Sequence, residues 1–114
     1  MKITKIETIL AGVRYLFVKV HTDAGLVGLG ECGAWCYQEA TAEAIHAMEH
    51  HLIGLDPMQI EYINNGLSRC MHFRGSVVAA AISGIDIALW DLKGKYFGVP
   101  IYDCLLYTSP SPRD

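Results

Sequence analysis

Between Tyr15 and Thr22 the residues Leu16, Val18 and Val20 fall on one side of the chain and Lys19 and His21 on the other. A period of two marks a strand with one buried face. The stretch from Lys2 to Leu10, rich in Ile and Thr, predicts a strand before it, joined by the short connection Ala11-Gly12-Val13. Asp23-Ala24-Gly25 then turns the chain, with Gly25 able to take the positive φ of a three-residue hairpin loop, and Leu26 to Glu31 returns as a third strand. Together these form an antiparallel meander.

Beyond it the period becomes helical. Ile45, Met48, Leu52 and Leu55 recur at three- and four-residue steps, behind Thr41 as an N-cap and with Gly54 placed to end the run. Asp56-Pro57-Met58-Gln59 predicts the opening of a second helix, with Asp56 accepting from exposed amides, Pro57 at the first helical position and Gln59 closing a capping box. Its apolar stripe is Ile60, Ile63, Leu67 and Met71. Gly75-Ser76 is expected to stop that helix and cap a third, in which Val78, Ala81, Ile82, Ile85, Leu89, Leu92 and Tyr96 keep helical spacing. Gly98-Val99-Pro100 ends it, because Pro100 cannot continue the hydrogen-bond ladder. The predicted fold class is α+β: a three-stranded antiparallel meander followed by a three-helix bundle.

Apolar residues make up 52% of the 114-residue chain and charged residues 18%. An ordinary soluble domain has roughly 45–50% and about 25%, so a face that packs on another domain or subunit is expected. The formal net charge of −3 comes from mixed signs and leaves no basic stripe for phosphates, so no nucleic-acid partner is expected. No apolar run approaches the ~20 residues that span a bilayer, and the N-terminus runs straight into strand-like sequence rather than a signal peptide. The expectation is a cytoplasmic protein with no membrane partner.

Three patterns carry candidate chemistry. Cys32, Cys36, Cys70 and Cys104 form no paired CxxC motif and read as reduced thiols. A zinc site from Cys32 and Cys36 with His46 and His50 has poor cysteine spacing and nothing to fix a tetrahedral geometry. Gly28-Leu29-Gly30-Glu31-Cys32-Gly33 spells GxGxxG, with Asp56 about where a ribose-binding acid would sit. A dinucleotide fingerprint, however, needs a parallel βαβ unit that this element order does not supply. Asp86 and Asp91 are five apart, so they do not share one helical face as an acid–base pair would, and they read as structural groups.

The run Ala81-Ile82-Ser83-Gly84-Ile85-Asp86-Ile87-Ala88-Leu89-Trp90-Asp91-Leu92-Lys93-Gly94-Lys95, followed by Gly98-Val99-Pro100-Ile101, resembles the long helical motif of the mandelate racemase and muconate lactonizing enzyme family of the enolase superfamily. The hairpin Thr22-Asp23-Ala24-Gly25-Leu26-Val27-Gly28-Leu29-Gly30-Glu31 resembles that family's second-to-third-strand segment, and the likeness runs over residues 1–103. Small Ala81, Ser83, Gly84, Ala88 and Gly94 let backbones come close, while Asp86, Asp91 and Lys95 supply buried or edge hydrogen bonds.

Within the family the sequence is most similar to the galactonate-type acid-sugar dehydratases, through the short connection Ala11 to Tyr15 and through Arg14. The resemblance implies an N-terminal cap domain whose loops after the first and third strands close over a barrel and shape substrate preference. Arg14 and Tyr15 in the first loop and Trp35, Cys36 and Tyr37 in the second are the implied substrate-capping residues. A guanidinium suits a polyhydroxy carboxylate, and aromatic rings exclude water from a closing site. His72-Phe73-Arg74-Gly75 resembles a further tract of those enzymes.

The resemblance also implies a C-terminal (β/α)8 barrel as partner domain, a sugar-acid substrate, a homo-oligomer and Mg²⁺. The barrel would supply the catalytic base and the metal ligands, so no catalytic or metal-binding residue is expected in this sequence. A racemase or cycloisomerase of the same superfamily, or a free-standing interaction domain, is the alternative. After residue 103 the expected family pattern, Leu, an aliphatic residue and Gly leading into the barrel, does not follow. Cys104-Leu105-Leu106-Tyr107-Thr108-Ser109-Pro110-Ser111-Pro112-Arg113-Asp114 resembles a translated sequencing adapter, so residues 104–114 are expected to be a non-native tail and the barrel to be missing.

Overall fold

A computed structural model describes residues 1–71 and 75–105. Three strands, β1 (Ile3–Ala11), β2 (Tyr15–Thr22) and β3 (Val27–Glu31), form one antiparallel sheet in the order β1-β2-β3. Among the described residues four helices follow: α1 (Gln38–Leu52), α2 (Ile60–Cys70), α3 (Ser76–Phe97) and the one-turn α4 (Ile101–Leu105). The alternation read in β2 is the observed one, since Leu16, Val18 and Val20 are fully buried beneath the helices. Ile45, Met48 and Leu52 of α1 and Ile85, Leu89 and Leu92 of α3 meet them in a single core. α3 lies across β2 and β3, α1 packs on β1 and α3, and α2 leans on α3.

The seam between β3 and α3 depends on having almost no side chains. A Cβ at Gly28 would run into the carbonyl oxygen of Ala88, and one at Gly30 into that of Gly84. The GxGxxG spelling therefore reflects backbone packing in an antiparallel strand, and the nucleotide-binding alternative falls. Asp91 and Lys95 of α3 reach past this seam to the free edge of β3. Asp91 Oδ2 accepts from the Leu29 amide at 2.9 Å, Lys95 Nζ donates to the Val27 carbonyl at 2.7 Å, and the two side chains pair at 2.9 Å. An edge strand that offers unpaired amides and carbonyls invites a second chain, and this pair occupies one amide and one carbonyl of that edge. Asp86, by contrast, accepts from Asn64 Nδ2 of α2 at 3.2 Å, which makes it a tie between helices.

Several local expectations are corrected. α1 starts a turn earlier than Thr41, because Gln38, Glu39 and Ala40 are good helix formers and continue the helix backwards. Thr41 is buried inside it and its hydroxyl donates to the Tyr37 carbonyl at 2.9 Å. Pro57 does not open α2, and Gln59 makes no side-chain cap. Asp56 Oδ1 instead accepts from the Met58 amide at 2.9 Å and its carbonyl from the Gln59 amide at 3.1 Å, which closes a turn before Ile60. α2 ends at Cys70, well before Gly75, and Ser76 lies inside α3 without capping it.

Tyr96 keeps the helical spacing and lies within α3, but it is exposed, since the last core side chain on that helix is Leu92. α3 does end where Gly98 was placed. Gly98 is left-handed at φ 70°, and the Val99 and Gly98 amides donate to the Gly94 and Lys95 carbonyls at 2.9 and 3.3 Å, a Schellman closure.

Candidate functional site

Antiparallel topology decides where the chemistry gathers. Pairing of Ala11 with Tyr15 and of Phe17 with Glu31 puts the β1–β2 turn and the segment leaving β3 at the same end of the sheet. The turn is only residues 12–14, and Gly12 supplies the left-handed φ of 68° that so tight a reversal requires. Residues 32–37 connect β3 to α1. The two segments enclose a cleft of about 550 Å³ lined by Val13, Arg14, Tyr15, Glu31, Gly33, Trp35, Cys36 and Gln38.

Four of the five residues implied as substrate-capping thus share one cavity. Arg14 sits at the hairpin tip with its side chain exposed, and the Tyr15 ring stacks on Phe17 at 6.3 Å between centroids. Trp35 is 91% exposed, and Cys36 holds a left-handed φ of 63° that residues with a Cβ seldom adopt. Tyr37, the fifth, does not line the cleft. Its amide donates to the Ala34 carbonyl at 2.7 Å, and its carbonyl accepts from the Thr41 amide and hydroxyl, so its backbone fixes the turn into α1.

Glu31, Gly33, Gln38 and Val13 line the same cleft without having been singled out from the sequence. Glu31 brings a carboxylate opposite in sign to Arg14. Gln38 Nε2 donates to the Arg14 carbonyl at 2.9 Å, across the gap between the two segments. The available signal is adjacency: each lies one to four positions from a named loop residue. The tract His72-Phe73-Arg74 and residues 106–114 of the tail lie outside the described residues.

The remaining candidates do not converge. Cys32 is buried against Gly84, and its thiol points at the Leu16 carbonyl at 3.6 Å. Burial first, and the nearby Glu31 second, push that thiol up to about 11. His46 Nε2 instead meets Thr8 Oγ1 at 2.9 Å. The zinc arrangement is therefore not formed, and among the described residues no three His, Cys, Asp or Glu side chains come together as a metal-ion site. No helix among them is long and apolar enough to cross a membrane.

Known proteins agree with this architecture. The family model for the mandelate racemase and muconate lactonizing enzyme N-terminal domain matches residues 4–106. The D-galactonate dehydratase of Pectobacterium atrosepticum is 44% identical over 106 residues, which are 92% of this chain and 28% of that protein. An enolase of Pantoea ananatis with bound D-gluconate and magnesium superposes with a TM-score of 0.83 at 39% identity, over 91% of this chain and 26% of that one. An enolase of Agrobacterium radiobacter with bound sodium and L-malate does so at 0.86 and 33%, over 92% and 28%.

A three-stranded antiparallel sheet backed by helices is the N-terminal domain fold of the enolase superfamily. The chain belongs to the mandelate racemase and muconate lactonizing enzyme family, as its N-terminal domain. It spans little more than a quarter of the length of the relatives it matches.

Proposed function

We propose that this domain is the lid of a galactonate-type acid-sugar dehydratase, seated on a C-terminal (β/α)8 barrel. Residues 12–14 and 32–37 close over the barrel mouth, where such barrels carry their active sites. The observation that supports this most is the cleft itself: Arg14, Tyr15, Trp35 and Cys36, from two separate segments, surround one cavity. Arg14 takes the carboxylate of the sugar acid through paired N–H donors. Tyr15 and Trp35 exclude water from the closed site, with Tyr37 at its margin.

Proton abstraction beside the carboxylate and loss of the β-hydroxyl as water are assigned to acid–base groups of the barrel. The family also implies Mg²⁺, but the described residues of this domain do not fit the ion, because no three metal-binding side chains converge. Its ligands are assigned to the barrel as well. In this reading the parent protein is a cytoplasmic homo-oligomer, and residues 104–114 form a tail foreign to it.

The test is to join residues 1–103 to the barrel of the Pectobacterium relative and assay D-galactonate dehydration. Activity is expected, and Arg14→Ala is expected to lower kcat/KM by about 10–100-fold, the loss of a hydrogen bond to a charged group. A folded hybrid without turnover, or dehydration catalysed by the 114-residue chain alone, would overturn the proposal.

A further inference from the structure

The hairpin tip that carries Arg14 has little to hold it. Residues 12–14 lie outside the sheet ladder and all three are exposed. Such a tip is ordinarily the loosest part of a β-hairpin. A polar contact nevertheless reaches it from elsewhere in the fold: Gln38 Nε2 donates to the Arg14 carbonyl at 2.9 Å. Gln38 is the first residue of α1, a helix anchored in the core by Ile45, Met48 and Leu52, so the donor projects from a rigid element.

Gly33 completes the arrangement. Among the described residues other than its chain neighbours, the Arg14 carbonyl oxygen is what comes within 4 Å of where a Gly33 Cβ would stand, at 3.6 Å, so the second segment passes directly beside the oxygen that Gln38 holds. Gln38 is itself half-buried and lines the cleft.

We infer that Gln38 is a positioning residue: it pins the Arg14 tip to the start of α1 and so holds the cleft open at a set width before any ligand arrives. This rests on the lid reading for its consequence in substrate binding, but the pinning itself does not. A guanidinium on a free tip has to be ordered when the sugar acid binds, and that ordering weakens binding. A pinned tip has already lost that freedom. The bond uses the backbone carbonyl of Arg14, which leaves its guanidinium free for a carboxylate.

Two variants separate the parts. Gln38→Met keeps the length of the side chain and removes the donor, whereas Gln38→Lys keeps an N–H donor of similar reach. In the 114-residue chain, backbone ¹⁵N order parameters at Gly12, Val13 and Arg14 are expected to be near the ~0.85 of rigid backbone and to fall below about 0.6 in Gln38→Met. Gln38→Lys should restore them, and residues of β2 should be unaffected in both. Unchanged order in Gln38→Met overturns the inference.

In the hybrid enzyme, Gln38→Met is expected to raise KM for D-galactonate about tenfold with kcat within twofold, and Gln38→Lys to recover most of it. A loosened tip with unchanged KM in an active hybrid also overturns the positioning role. An inactive wild-type hybrid defeats the lid reading instead, and the pinning is then decided by the order parameters alone.

Discussion

The seam between β3 and α3 and the cleft at the end of the sheet are joined by a few residues of chain, yet they use the same residue types in opposite ways. At the seam polar groups are tied within the fold: the Leu29 amide and the Val27 carbonyl on the free edge of β3 are met by Asp91 and Lys95, and Gly28 and Gly30 bring two backbones into contact. At the cleft an arginine, a glutamate, a thiol and a 91% exposed tryptophan face open space. Glycine in the first region removes a side chain to allow packing, whereas Gly12 in the second supplies a left-handed turn. Groups used up in packing have no capacity left for a ligand, so the cleft is the region with chemistry to offer.

The largest effect that tests this contrast is expected at Gly30. Gly30→Val places three carbons where the Gly84 carbonyl lies, and neither backbone can retreat without separating β3 from α3. Overpacking costs about 1–3 kcal/mol where side chains can give way and more where backbone must move. A loss of at least ~3 kcal/mol in urea unfolding is therefore expected. A midpoint equal to the wild type's would show that the seam is looser than its geometry.

A smaller effect belongs to Cys32, whose thiol is pushed up to about 11 from an ordinary 9.0. The folded state holds this proton more tightly than the unfolded state does. Its contribution is therefore complete below pH 9 and is lost as pH rises toward 11. With ~1.4 kcal/mol per tenfold change in ionisation, up to ~2–3 kcal/mol is at stake. Cys32→Ala keeps the Cβ that packs at Gly84 and removes the titration, so its stability should decline less over that interval. Parallel pH profiles for the two proteins would refute the assignment. The exposed Cys36 should meanwhile react with a thiol reagent in the folded protein while Cys32 reacts only on unfolding.

Next comes the edge of β3. Asp91→Ala leaves the Leu29 amide without its acceptor and Lys95 without its carboxylate. The site is partly exposed and water can replace one partner, so a loss of about 1 kcal/mol is expected. Faster hydrogen exchange at the Leu29 amide should accompany it. Exchange unchanged at Leu29 would mean that the side chain does not cover the edge.

The same contrast explains what could be read in the sequence. The faces of β2, the stripe Ile45-Met48-Leu52 and the Gly98 stop were legible because burial imposes a period and a left-handed cap requires glycine. The start of α1 was missed because Thr41 looks like a cap in one dimension, whereas in the fold Gln38 to Ala40 carry the helix past it. Tyr96 shares the helical spacing of α3 without its burial, because the spacing continues after the core it faces has ended. At the cleft, resemblance pointed to Arg14, Tyr15, Trp35 and Cys36. For Glu31 and Gln38 the sequence offers only adjacency to those loops, because it is the hairpin register that brings the end of β3 and the start of α1 beside residues 12–14. Function here depends on which chain ends meet, and no local period records that.

The smallest effect is the sharpest test of the comparison. Trp35 is the largest side chain in the cleft segments and also among the most exposed, so its ring contributes little to the core. Were it a structural anchor, Trp35→Ala would cost several kcal/mol, as truncation of a buried aromatic does. If the cleft is instead surface held in reserve for a ligand or a second domain, the substitution should leave stability within about 0.5 kcal/mol of the wild type. In the hybrid enzyme the same substitution should still raise KM for D-galactonate, because the ring would be missing from the closed site. A strongly destabilised Trp35→Ala chain would place this residue with the seam and remove it from the lid.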